Sequence, residues 1–138
     1  MSQLNESTMV KLINGARQQA GLQPLFPNMK LQSAAGKQST FMNMQGVLTH
    51  RGFWGSSLED RAIAAKYHWS ALGECIGETS EGPISMFNIW MNSPPHKQII
   101  LNPIFLDFAV AQVGHYWTAN FGAPVHATAI SVSNPEKE

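Results

Sequence analysis

The 138-residue sequence predicts an α+β fold in which helices pack on an antiparallel sheet. Two observations carry this. Segments with helical periodicity precede Pro103, while strand-like segments rich in apolar, aromatic and small residues follow it, with no regular strand–helix alternation. The length suits one domain over residues 1–138, with a core from about residue 4 to 132 and a frayed tail at 133–138.

Each element has a local reason. Met9, Leu12, Ile13, Ala16 and Ala20 share one face of an amphipathic helix, which Asn5 or Ser7 caps and Gly21 followed by Pro24 ends. A second helix runs from about Lys30 to Gln45, with Leu31, Ala34, Ala35 and Phe41 along one face. In "GSSLEDRAIAAKY", Ser56 stands three residues before Glu59, the pattern of a capping box opening a third, shorter helix. Gly82-Pro83 opens a fourth helix over "ISMFNIWM", because a proline at the first helical position gives up an amide that has no partner anyway. That helix ends near Asn92. Ser93 then caps a further turn with Pro94 at its first position, and Asn102-Pro103 stops it. "LDFAVAQV" and "HYWTANF" read as two antiparallel strands joined at Gly114, and "HATAISVS" as another strand.

Composition narrows the function. Nine basic residues balance nine acidic ones and no basic stripe is present, which argues against a nucleic-acid partner. No stretch approaches the roughly 20 apolar residues of a transmembrane helix. "MSQLNESTMV" lacks the basic start and apolar run of a secretion signal, so the chain is either cytosolic or the trimmed form of a secreted protein. Cys75 is the only cysteine, which excludes an intrachain disulfide and a four-cysteine zinc site.

The polar candidates are few. Of His50, His68, His96, His115 and His126, none forms a close-spaced ligand pair, and His68 and His126 read as surface residues. Glu74, in "LGECIGE", reads as a partly buried carboxylate that must be paired, hydrogen-bonded or protonated. Cys75 beside it reads as packing, since a neighbouring carboxylate opposes a thiolate. Ser93 lies outside any G-x-S-x-G elbow and reads as a helix cap. Trp54, Trp69, Trp90 and Trp117 read as core or sheet-face residues.

Taken in order, "THRGFWGSSLEDRAIAAKYHW", "GECIGE", "IWMNSPPHKQIILNPIFLDFAVAQV" and "HYWTANFG" resemble the CAP superfamily of cysteine-rich secretory, antigen 5 and pathogenesis-related proteins. The likeness is greatest to its cysteine-poor bacterial and fungal branch, and runs from Leu4 to Gly122. It implies a three-layer α-β-α sandwich with a central antiparallel sheet. It also implies a cleft in which His50, Glu74 and His96 converge, with His50 and His96 holding a divalent metal, commonly zinc. There are departures. Cys75 and Gly77 replace the asparagine and alanine of the family's Glu-Asn-Ile-Ala, and Pro95 replaces a glycine. Ala109 and Ala111 also stand for glycines, while Ser93 and Tyr116 occupy regions where the cysteine-rich branch carries a second glutamate and histidine. His115, just before Tyr116, is a further cleft candidate.

Three functional readings stand open. The first is a secreted binding module for a lipid, sterol or protein partner, with the Met-rich "FMNM" and "ISMFNIWM" lining an adaptable groove. The second is a metal-assisted hydrolase of peptides or esters, with His50 and His96 holding the ion and Glu74 as general base. The third is a structural or interaction domain. The lack of an identifiable nucleophile–base pair favours the first, and the resemblance implies an extracellular location.

Overall fold

The computed structural model describes residues 2–125; the strand expected in "HATAISVS", with His126, and the tail lie outside the described residues. The elements run α1 (Ser2–Gln19), β1 (Phe26–Pro27), α2 (Met29–Gln45), a 3₁₀ turn (Phe53–Gly55), α3 (Leu58–Ala64), β2 (Trp69–Glu78), α4 (Pro83–Met91), α5 (Pro94–Ile100), β3 (Asp107–Val113) and β4 (Tyr116–Pro124). The sheet order is β1-β3-β4-β2. The three long strands are antiparallel, and the two-residue β1 adds a parallel edge beside β3.

Side-chain alternation along the strands divides the helices into two layers. Phe108 and Val110 of β3, Trp117, Ala119 and Phe121 of β4 and Cys75 of β2 face Met9 and Ile13 of α1, Met86 and Trp90 of α4 and Ile100 of α5. The opposite side carries small residues, with Ala109 and Ala111 packed on Leu31 and Ala35 of α2 and Ala62 of α3. The α+β, α-β-α architecture expected from the sequence is therefore present.

Local details differ from expectation. The first helix starts at Ser2, so Asn5 and Ser7 lie inside it rather than at its cap. Asn5 and Glu6 instead anchor α1 to β3, through Asn5 Nδ2 donating to Gln112 Oε1 (3.0 Å) and the Gln112 amide donating to Glu6 Oε2 (2.8 Å). The capping box of α3 is Ser57 with Asp60, one residue beyond the Ser56 and Glu59 expected, because the 3₁₀ turn ties the Ser56 amide to the Phe53 carbonyl. Strand β2 has no clean alternating pattern. Its glycines admit large side chains of the α4/α5 layer: a Cβ at Gly73 would come within 2.9 Å of the ring of Phe105, in the segment after α5, and one at Gly77 would run into Met86 and Trp90 of α4. Trp90 and Trp117 are core residues, but Trp54, at φ 55° in the 3₁₀ turn, is 99 % exposed.

One buried charge holds the α5 end of the molecule. Arg17 of α1 is 1 % exposed and has no carboxylate partner among the described residues. Its Nε donates to Gln23 O and its Nη1 to Ile100 O and Asn102 O, all at 2.9 Å. The last two acceptors belong to the C-terminal end of α5, where orphan carbonyls and the helix dipole favour a cation. Burial depresses the guanidinium's pKa from its ordinary value, the expected cost of this arrangement. Arg17→Met should therefore lower unfolding free energy by about 3 kcal/mol in urea titrations, at roughly 1 kcal/mol per carbonyl left unpaired. Arg17→Lys should recover less than half, because a single ammonium cannot span the three acceptors.

Candidate functional site

Glu74 lies mid-strand in β2 with its side chain on the α2 face, where its own exposure is 3 %. Each carboxylate oxygen receives two donors. His50 Nδ1 (2.8 Å) and Arg61 Nη2 (3.3 Å) approach Oε1; Arg61 Nη1 (2.6 Å) and Asn120 Nδ2 (2.8 Å) approach Oε2. Arg61 comes from α3, Asn120 from the directly opposed position of β4, and His50 from the loop after α2. Burial pushes the Glu74 pKa up, but the bonds from His50, Arg61 and Asn120 and the Arg61 charge outweigh it, so the net shift is downward. The carboxylate is ionised at neutral pH and accepts only. His50 Nδ1 must then carry a proton, so in the neutral ring the lone pair lies on Nε2.

His96 arrives from the other layer. It stands in the first turn of α5, with its Nδ1 2.8 Å from Ser93 Oγ. Ser93 occupies the N-cap position as expected, yet its hydroxyl serves the imidazole and no backbone amide. Cys75 Sγ lies 3.8 Å from the His96 carbonyl, tying α5 to β2 one residue from Glu74. Among the described residues β2 is a sheet edge. Burial, then the charge of His50, lower the His96 pKa below its ordinary 6.5, which keeps this ring neutral at pH 7.

The remaining candidates sit elsewhere. Tyr116 opposes Glu78 in the β4–β2 register, four residues from the Asn120–Glu74 pair, or roughly 13 Å along the strand. It packs on Met42 and Ile76. His115 is exposed in the β3–β4 turn, and His68 is exposed as expected. Cys75 is fully buried, and its thiol is pushed far up by burial and then by the Glu74 charge, in keeping with a packing role.

Sequence reading missed Arg61, Asn120 and Glu59. Glu59 lines a depression of about 280 Å³ with His50, Ser57 and Glu74. Among the described residues no three His, Cys, Asp or Glu side chains form a group that could hold a metal ion. Of the two imidazoles expected at the site, His50 is the one that Glu74 braces. The Met-rich segments also fail to share a groove. Met42 packs on Ile76 while Met86 packs with Cys75, and those adjacent strand residues point to opposite faces.

The sequence profile of the CAP family, the cysteine-rich secretory protein family, matches residues 10–121. The uncharacterised protein YkwD of Bacillus subtilis is 31 % identical over 118 residues, which is 84 % of this chain but 46 % of that protein. The chain thus spans about half the length of this relative. Among solved structures, an extracellular protein containing an SCP domain from Bacillus anthracis superposes with a TM-score of 0.85 at 23 % identity, over 88 % of this chain and 41 % of that one. An outer surface protein of Borrelia burgdorferi gives 0.80 at 17 % identity, covering 90 % of this chain and 99 % of that one. No helix among the described residues is long and apolar enough to cross a membrane.

Glu74 and His96 both have native pKa values below their ordinary ones, so the unfolded chain takes up protons first as pH falls. Each contribution is complete above the ordinary value and is lost below it. Between pH 6.5 and the ordinary thiol value of 9.0, above which the raised Cys75 pKa costs stability, the urea midpoint should hold steady; it should decline below pH 6.5 as His96 begins to titrate and fall again below pH 4.5 through Glu74. Glu74→Ala should shrink the second fall, to which the capping Asp60 also contributes, and lower stability at pH 7 by about 3–5 kcal/mol, because it leaves Arg61 buried without its counter-charge.

Proposed function

The chain belongs to the cysteine-rich secretory protein (CAP) family, and from that premise we propose an extracellular binding module whose His50 and His96 take a divalent cation such as zinc. The extracellular part is supported by the Bacillus anthracis and Borrelia relatives, described respectively as an extracellular and an outer surface protein. One observation carries the cation reading. Both imidazoles have Nδ1 engaged by a partner, Glu74 for His50 and Ser93 for His96, which leaves Nε2 as the coordinating atom of each. A carboxylate behind a ligating imidazole fixes its tautomer and raises its basicity. When the Nδ1–H of His96 donates to Ser93, its Nε2 lone pair is likewise free, and a bound cation selects that tautomer.

Two protein ligands leave coordination positions open. A cation there would supply an attachment point for carbonyl or carboxylate oxygens of a partner. The same geometry weighs against hydrolysis. Glu74 has its lone-pair sites filled and its pKa lowered, the opposite of a general base tuned toward neutrality. Ser93 also lacks oxyanion donors beside it, since the first two residues of α5, Pro94 and Pro95, have no N–H. The separation of the Met-rich segments onto opposite faces weighs against their forming one groove for a lipid or sterol.

Calorimetry of the chelator-treated chain with zinc at pH 7 tests the reading. Micromolar or tighter binding is expected, falling at least tenfold in both His50→Ala and His96→Ala. Absence of binding in the parent would overturn the cation site and leave the cleft as a structural hydrogen-bonded cluster.

A further inference from the structure

His50 belongs to no helix or strand, and its side chain is 60 % exposed, so little packing fixes the ring. Its backbone, by contrast, is gripped from inside the protein. Gln38 Nε2 donates to Thr49 O (2.6 Å) and to Arg51 O (3.1 Å), while Arg61 Nη2 donates to His50 O (2.7 Å). Both donors are buried, Gln38 at 0 % and Arg61 at 4 % exposure. The geometry has a specific consequence. A peptide unit is planar, so holding the Thr49 and His50 carbonyls fixes the planes on both sides of the His50 Cα. Those two planes define φ and ψ of His50 and so the direction of its Cα–Cβ bond.

We propose that Gln38 is a positioning residue for His50, acting with Arg61 through three consecutive carbonyls to aim the imidazole at Glu74 and present its Nε2. Its functional consequence rests on His50 being a cation ligand; the positioning itself does not. Gly52 completes the frame. A Cβ there would lie 2.5 Å from Gln38 Oε1, 2.8 Å from Ser56 Oγ and 3.5 Å from Arg61 Nε. Its φ of −109° is open to any residue, so what a larger residue would meet there is crowding against the ends of the Gln38 and Ser56 side chains. Gln38 cannot swing away from the carbonyls without losing both bonds, and a Cβ at residue 52 would force its amide to shift.

The test is nitrogen NMR of the imidazoles in the metal-free chain at neutral pH, with zinc calorimetry alongside, for the parent, Gln38→Met and Gly52→Ala. The parent should show one protonated and one unprotonated His50 nitrogen. In both variants the two nitrogen shifts should move toward each other as the Glu74 bond loosens, with zinc affinity about tenfold weaker. A purely stabilising Gln38 would lower the melting temperature and leave the His50 shifts of the folded protein as in the parent; that result overturns the proposal. If Gln38→Met does not fold, Gly52→Ala decides by the same criterion. If the parent binds no zinc, the cation reading fails, while the shifts alone still decide the positioning.

Discussion

The buried carboxylate of Glu74 is the constraint on which the arrangement of the site depends. An ionised carboxylate in an apolar interior is strongly unfavourable unless it is paired and its lone pairs are used. Here the compensation comes from three different elements: the α3 guanidinium, the β4 amide and the imidazole of the loop after α2. None of these donors is supplied by the strand that carries the charge. The site therefore exists only when α2, α3 and the sheet are closed on one another. Arg61 links the two requirements, since the same guanidinium neutralises Glu74 and holds the His50 carbonyl.

The two faces of the sheet divide the work. The α1/α4/α5 face carries Phe108, Trp117 and Phe121, all fully buried, and supplies most of the large apolar contacts. The α2 face carries Ala109, Ala111, Thr118 and Asn120. Small side chains there let α2 come close enough for Ser39 Oγ to donate to Ala111 O at 3.0 Å, with Thr118 Oγ1 2.8 Å away. This distribution makes a polar cluster affordable in a domain of this size: apolar burial on one face stabilises the fold, and hydrogen bonding organises the other.

The sequence shows some of this directly. The helices and the β3–β4 hairpin follow from periodicity and from caps within a few residues, so they are visible locally. Strand β2 is not, because the glycines that admit Phe105 and Trp90 also erase its alternation. Glu74 is conspicuous as a charge among glycines and apolar residues, but its partners are separated from it by 13, 24 and 46 residues. Arg61 in particular looks like an ordinary last-turn basic residue of a short helix. His50 and His96 become candidates through family resemblance alone, since no ligand spacing joins them.

Residue 75 shows how a departure from the family pattern is accommodated. An asparagine amide in that place would offer strong hydrogen bonds beside α5, whereas Cys75 offers a weak donor at 3.8 Å from the His96 carbonyl. What holds α5 must then be mostly something else. Ile100 is fully buried, Ile99 lies over Gly73, and Arg17 binds the carbonyls at the helix end. The helix is thus fixed at its C-terminal end by packing and charge, while its first turn, with Ser93 and His96, is held at the β2 edge by a lighter contact. Of the two imidazoles, His50 is bonded to a carboxylate and carried on a backbone held by Gln38 and Arg61, whereas His96 is bonded through Nδ1 to the neighbouring Ser93 hydroxyl.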